Sequence, residues 1–257
     1  MDLGLGGLRA LVTGASRGIG FEIAKTLAKE GADIAICARS QEGVDDAVKA
    51  LSTYGVRTMG RALDVRKAGA VERFVNDSTD AFSGIDIVIS NVSTRIQRGA
   101  DTAEWWRETF ETDLLQHVRL FEAALPALKE SDHGSAVFIA SIASILTQLP
   151  PEELAYGGMK AALVNYVGQM GVRHAGDDVR VNAISPGPIY FEGGFWHMVE
   201  QKVPDLYQAA TRISAMGRLG TPEEVAKPTV FLASPAAGYM TGANIRIDGA
   251  AVRAANF

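Results

Sequence analysis

A chain of 257 residues that is 47% apolar and 21% charged can bury a sizeable core, which excludes a disordered protein. Its formal net charge of -5, without a dense Lys or Arg run, gives no electrostatic reason to expect nucleic acid or an anionic membrane as partner. The single cysteine, Cys37, excludes an internal disulfide and fits a reducing compartment, and together with four scattered histidines it proposes no metal site.

The first seven residues lack the cationic start and apolar stretch of a secretory signal, and every apolar run is far short of a membrane span; a cytoplasmic protein is expected. Residues 8–13 predict a strand, followed by a helix over 18–30 that stops at Gly31. Strand 33–37, helix 44–54, extended 56–63, helix 68–82 and strand 86–90 come next. One long helix is expected over 102–129, kinked where Pro126 lacks a backbone donor. Residues 136–140 form a continuous apolar strand, 152–174 a helix and 179–184 another strand. A long irregular stretch leads to the capping box Thr221-Pro222-Glu223-Glu224, and 244–248 supplies a seventh strand. This alternation predicts one doubly wound α/β domain over 1–257, Rossmann-like, with a mostly parallel seven-stranded sheet and helices on both faces.

The string Thr13-Gly14-Ala15-Ser16-Arg17-Gly18-Ile19-Gly20 joins the first strand to the first helix. Gly14 suits the tight turn, Gly18 lets a pyrophosphate approach the backbone, and Gly20 lets the helix pack closely on the strand. The free N–H groups and partial positive charge of the helix start then favour phosphates. The spacing is G-x-x-x-G-x-G, and Gly14, Ser16, Arg17, Gly18, Ile19 and Gly20 are its candidate cofactor contacts. Where a ribose-binding carboxylate would sit, at the end of the second strand, there is Ala38, followed by Arg39. A guanidinium there, with Arg17 on the other side, suits the 2′-phosphate of NADP(H).

Tyr156 and Lys160 lie four apart and share one helix face. A neighbouring ammonium and an oxidised nicotinamide both favour the phenolate and should pull the Tyr156 pKa down toward the working range. Ser141 ends the fifth strand, where parallel sheets place ligands, and can hydrogen-bond a substrate oxygen; Ser144 is its rival.

These pieces resemble the short-chain dehydrogenase/reductase family across essentially the whole chain. The glycine string, Leu63-Asp64-Val65, Ile139-Ala140-Ser141, Tyr156-x-x-x-Lys160, Pro186-Gly187-Pro188-Ile189, Arg218-Leu219-Gly220-Thr221-Pro222-Glu223-Glu224-Val225-Ala226 and Thr241-Gly242 through Asp248-Gly249 carry the likeness. The resemblance implies that Asp64 and Val65 hold adenine and that Asn91 lines the cofactor groove. It implies that Lys160 reaches the nicotinamide ribose, that Ser141 orients the carbonyl, and that the Ile189 backbone holds the carboxamide beside Pro186 and Gly187. The tyrosine–lysine spacing is that of ketone or alcohol chemistry, since the enoyl-reducing branch separates the two more widely. A homo-oligomer, tetramer or dimer, is implied through the long helix and the Tyr156 helix; Trp105, Trp106 and Phe121 are as well suited to that interface as to the core.

Four departures stand out. Ser90-Asn91-Val92-Ser93 replaces the family's Asn-Asn-Ala-Gly, and Asp113 replaces its catalytic asparagine, so that the proton relay is altered or the carboxyl is kept neutral. Phe191 replaces a threonine that touches the carboxamide, and Ser141 and Tyr156 are spaced by Pro150-Pro151 slightly further apart than usual. The catalytic candidates are therefore Ser141, Tyr156, Lys160 and Asp113. The expected activity is NADP(H)-dependent hydride transfer between nicotinamide and a carbonyl or secondary alcohol, with a cofactor-binding regulator or a cofactor-assisted isomerase or dehydratase as alternatives. A lid over about 186–220, rich in aromatics and hinged at Gly193-Gly194, points to a bulky apolar ketone. Phe191, Phe195 and Trp196 are its candidate substrate contacts, facing Ile142, Ile145, Leu146 and Leu149.

Overall fold

The computed structural model describes residues 2–94 and 102–253; Met1, 95–101 and 254–257 of the expected 1–257 unit lie outside the described residues. All seven expected strands are present: β1 (Arg9–Thr13), β2 (Asp33–Ala38), β3 (Thr58–Ala62), β4 (Ile87–Ser90), β5 (Ser135–Ile139), β6 (Arg180–Pro186) and β7 (Asn244–Ile247). They form one sheet in the order β3-β2-β1-β4-β5-β6-β7, every pair parallel.

Alternate residues of each strand feed opposite faces, as the two-residue period of a strand dictates. Ala10, Val12, Ile87 and Ile89 join the core beneath α1 (Gly18–Lys29), α2 (Gln41–Ser52) and α9 (Pro222–Ala233). Leu11 and Val88 face the core beneath α3 (Ala70–Phe82), α5 (Gln116–Lys129) and α6 (Leu154–His174). Trp105, on α4 (Ala103–Phe110), and Phe121 are buried, so the core takes both; Trp106 remains 39% exposed.

Two expectations fail. The long helix does not yield at Pro126, since α5 continues through it to Lys129. The interruption is a π turn at Glu111–Leu115, where one extra residue per turn shifts the helix phase. The stretch after Pro186 is not irregular either. It carries α7 (Phe195–Lys202) and α8 (Pro204–Ile213), the second started by Pro204 at a first-turn position that needs no donor.

The glycine turn follows β1, Asn91 to Ser93 follow β4, Ser141 follows β5 and Gly187 follows β6. All therefore lie at the carboxyl edge of the sheet, around the β1–β4 position where strand order reverses and a parallel sheet opens its crevice.

Candidate functional site

On the β1 side the site is made of backbone. Gly14 and Gly18 hold φ values of +67° and +59°, in the left-handed region that favours glycine. A Cβ on Gly20 would come within 2.5 Å of both Asn91 Nδ2 and the Gly14 carbonyl, so only glycine fits there. Asn91 fastens this turn to β4: its Nδ2 donates to the Thr13 and Gly14 carbonyls at 3.0 and 3.2 Å, and its N–H to Thr13 Oγ1 at 3.0 Å. Its amide thus supports the groove from beneath.

Helix α1 begins without a side-chain cap and without an acid in its first turn, whereas Ser40 caps α2 and a full capping box closes α9. An uncapped, positively polarised helix start behind a glycine turn fits an anionic group. Arg17 and Arg39 are exposed at the rim. Asp64 is held by Arg66 at 2.7 Å, and that guanidinium, with Arg39 contributing, keeps its carboxyl below the usual range; Val65 beside it is buried. These residues fit a phosphate-bearing dinucleotide. Among the described residues no three His, Cys, Asp or Glu side chains gather as a metal site, and no helix is long and apolar enough to cross a membrane.

The opposite side is made of buried side chains. Ser141 Oγ accepts from the Ala143 N–H at 3.1 Å, capping the short turn Ile142–Ile145. Ser144, the rival, keeps its Oγ buried without a partner among the described residues. Lys160, only 1% exposed, has its Nζ 5.6 Å from the centre of the Tyr156 ring. It donates to the Ile139 carbonyl at 3.0 Å and pairs with Asp113 Oδ1 at 3.3 Å.

Asp113, within the π turn, is fully buried. Ser93 Oγ donates to its Oδ1 at 2.6 Å, while Thr94 donates to Oδ2 through its hydroxyl at 2.7 Å and its N–H at 3.2 Å. The Thr94 N–H and the Lys160 ammonium can only donate to Asp113. In this structure the balance at Tyr156 runs upward. Burial first, and then the negative charge of Asp113, push the phenol's pKa up; the hydroxyls of Ser141 and Ser93 oppose them in part. The ammonium cannot favour a phenolate while a carboxylate beside it cancels its charge. Burial in turn lowers the Lys160 pKa, against the pull of Asp113.

Ser93 was visible in the sequence only as a bulkier glycine replacement, and Thr94 and His117 gave no signal. His117 lies one turn beyond Asp113 and is buried, with Nδ1 2.6 Å from Ser90 Oγ; burial, then the charge of Lys160, hold its pKa well below the usual value. The clue that could have found Ser93 is the coincidence of two departures, a hydroxyl and a carboxylate, in one site.

Beyond β6, Tyr190 N–H and the Pro188 carbonyl pair with Gly220, using the amides on either side of Ile189 rather than its own. Phe191 lies on the glycine turn: a Cβ on Gly18 would come 2.6 Å from the tip of its ring. Arg17 Nη1 donates to the Gly193 carbonyl at 3.1 Å, drawing the expected lid to the same place. Phe195 and Trp196 pack edge to face at 5.2 Å, and Tyr190 packs in the same way on Tyr207 and His197. Of the expected apolar wall, Ile145 and Leu146 are 46% and 40% exposed, but Ile142 is buried, because the short turn after Ser141 tucks it inward.

A family model described as Enoyl-(Acyl carrier protein) reductase matches residues 14–250. Isoepoxydon dehydrogenase of Penicillium expansum is 33% identical over 253 residues, covering 97% of this chain and 96% of its own length. The 3-oxoacyl-(acyl-carrier-protein) reductase of Vibrio cholerae is 33% identical over 251 residues, covering 96% and 98%. Among solved structures, L-sorbose reductase from Gluconobacter frateurii, complexed with NADPH and L-sorbose, superimposes with a TM-score of 0.89 at 29% identity over 99% of this chain and 100% of its own.

Proposed function

The chain belongs to the short-chain dehydrogenase/reductase family of oxidoreductases, and from that membership we propose that it reduces a bulky, largely apolar ketone with NADPH. The observation that carries this reading is the Tyr156 phenol, its ring centred 5.6 Å from the Lys160 ammonium, held protonated by burial and by the charge of Asp113. A group that keeps its proton at neutral pH is suited to donate it to a carbonyl oxygen that gains charge. Tyr156 gives that proton and Ser141 orients the oxygen, while Lys160, with one ammonium N–H beyond its two contacts, reaches a ribose hydroxyl. Bound nicotinamide supplies the hydride. The four-residue tyrosine–lysine spacing favours a carbonyl over an enoyl substrate.

Gly14, Ser16, Arg17, Gly18, Ile19 and Gly20 hold the pyrophosphate, Asp64 and Val65 the adenine, and Pro186, Gly187 and Ile189 the carboxamide. Arg39 after Ala38 favours NADP(H) over NAD(H), and the NADPH bound by L-sorbose reductase agrees with that preference. Exposed Ile145 and Leu146, just past Ser141, support an apolar substrate wall that Phe191, Phe195 and Trp196 close from the lid. We place the whole chain in one cytoplasmic unit that assembles with copies of itself through α4 and α6, where Trp106, Phe110 and Leu154 are exposed. The test follows NADPH absorbance with two substrate sets, bulky aromatic or polycyclic ketones and small polar ones such as a ketose. Higher kcat/KM on the bulky set is expected. Better turnover of the small set would overturn the apolar pocket, and no consumption of NADPH with either would favour a cofactor-binding regulator.

A further inference from the structure

Just past β3, one carboxylate is saturated by a single neighbour. The Arg66 N–H and Nε each donate to Asp64 Oδ1 at 3.0 Å, Nε also reaches Oδ2 at 3.2 Å, and Nη2 donates to Oδ2 at 2.7 Å. The far side of the same guanidinium is held from α4, where Nη1 donates to Glu108 Oε1 at 2.9 Å. Given a dinucleotide lying across the glycine turn as proposed above, we infer that Asp64 serves the purine through Arg66. The guanidinium covers the carboxylate and meets the base in its place, so that this chain does not distinguish adenine from hypoxanthine.

Each oxygen of a carboxylate has two lone pairs, and on Asp64 all of them are taken by Arg66. The exocyclic amino group of adenine can only donate, so it finds no free acceptor there. To make room, a bidentate contact between two charges would have to break, and such contacts are among the strong hydrogen bonds of proteins. Glu108 makes that harder by pinning the guanidinium from its opposite edge. The guanidinium is also the more open of the two groups, 39% exposed against 21% for Asp64.

The sheet brings this pair to the groove. β2 and β3 run parallel with Ala38 opposite Ala62, and the Leu63 N–H donates to the Ala38 carbonyl at 2.8 Å. Arg39 and Asp64 therefore leave neighbouring strand ends, on the carboxyl edge that also carries the glycine turn. A guanidinium has five N–H donors and no acceptor. Its Nε–H and one N–H from each terminal nitrogen are engaged by Asp64 and Glu108, which leaves Nη1 and Nη2 one N–H apiece among the described residues. Adenine and hypoxanthine share the ring acceptors N3 and N7, which such donors can meet, and hypoxanthine has a carbonyl oxygen where adenine has its amino group. Telling the two apart by that amino group takes a free acceptor on the protein, and Asp64 is not free.

The test measures binding and needs no turnover. The purified full-length chain is titrated by calorimetry with NADPH and with its 6-oxo counterpart, reduced nicotinamide hypoxanthine dinucleotide phosphate. The wild type should bind the two within about twofold of each other. Arg66→Ala should uncover Asp64 and create a preference for NADPH of at least about fivefold, the ordinary scale of one hydrogen bond open to one ligand and refused to the other. Adding Asp64→Ala should return the ratio to within about twofold, because the uncovered acceptor is then gone. Each ratio is taken within one protein, so a general loss of affinity or stability does not move it.

A wild type that already prefers NADPH by about fivefold or more overturns the inference, since Asp64 would then be reading the amino group past Arg66. An Arg66→Ala chain that still treats the two dinucleotides alike overturns it as well, since Arg66 would not be what hides Asp64. Either result leaves the cofactor site itself standing. A wild type that binds neither dinucleotide removes that site, and the role of Arg66 falls with it.

Discussion

The glycine turn after β1 and the cluster around Asp113 face each other across the β1–β4 crevice, and they handle charge in opposite ways. The turn offers positive character with almost no buried side chain: left-handed glycines, an uncapped helix start and two exposed arginines. The Asp113 side buries a complete ion pair and satisfies it with hydroxyls and a carbonyl. Exposed charge in water is cheap to keep and weakly felt; buried charge is expensive and must be matched. A substitution on the first side should therefore alter what binds and leave the fold alone. On the second it should alter chemistry and stability together.

The largest effect expected is at Tyr156. Tyr156→Phe should lower kcat by about a hundredfold or more, the ordinary scale of lost acid catalysis, while NADPH binds within about twofold of wild type. A variant keeping more than about a tenth of the rate would break the division, because the proton would then be coming from elsewhere. Next is the buried pair itself. Lys160→Met strands Asp113 without its counter-charge and should cost about 3 kcal/mol of stability, the low end for a broken buried pair because three hydrogen bonds to the carboxylate survive. Adding Asp113→Leu should recover much of the loss in melting temperature. A melting temperature that Lys160→Met leaves unchanged would show that the pair is not matched as described. The smallest effect lies on the open side. Ala38→Asp with Arg39→Ile should move the ratio of NADPH to NADH affinity by at least about tenfold toward NADH, or 1.4 kcal/mol. Its stability should stay within about 0.5 kcal/mol, as for other surface changes. A preference that does not move would sharpen the comparison by assigning the 2′-phosphate to Arg17 alone.

The same contrast explains which parts were legible in the sequence. Strands were found within about two residues because each is a short apolar run between breakers, and the glycine turn because three glycines at fixed spacing encode a backbone shape locally. Tyr156, Lys160 and Ser141 stood in motifs of a few residues. The wiring was not legible: Ser93 and Asp113 are twenty residues apart, and nothing local to either says that they touch. The π turn leaves no mark on composition, since a single inserted residue only moves the phase of the helix. Pro126 drew attention to the wrong place because a missing donor is visible in sequence, whereas a helix that tolerates it is not. Lys160 was assigned a charge acting on Tyr156 because its partner, Asp113, sits nearly fifty positions earlier in the chain.

The ring of Phe191 rests where a side chain on Gly18 could not be placed, and a pyrophosphate bound at Gly18, as the proposed function has it, could not share that patch of backbone with the ring. Aromatic ring and dinucleotide are thus rivals for one seat, one tethered and the other free. The affinity seen in a titration is the intrinsic one multiplied by the fraction of molecules whose ring is withdrawn, so a ring seated nine times in ten weakens binding about tenfold. On the proposed function, Phe191 in the place of a small hydroxylated residue thereby costs tightness of holding.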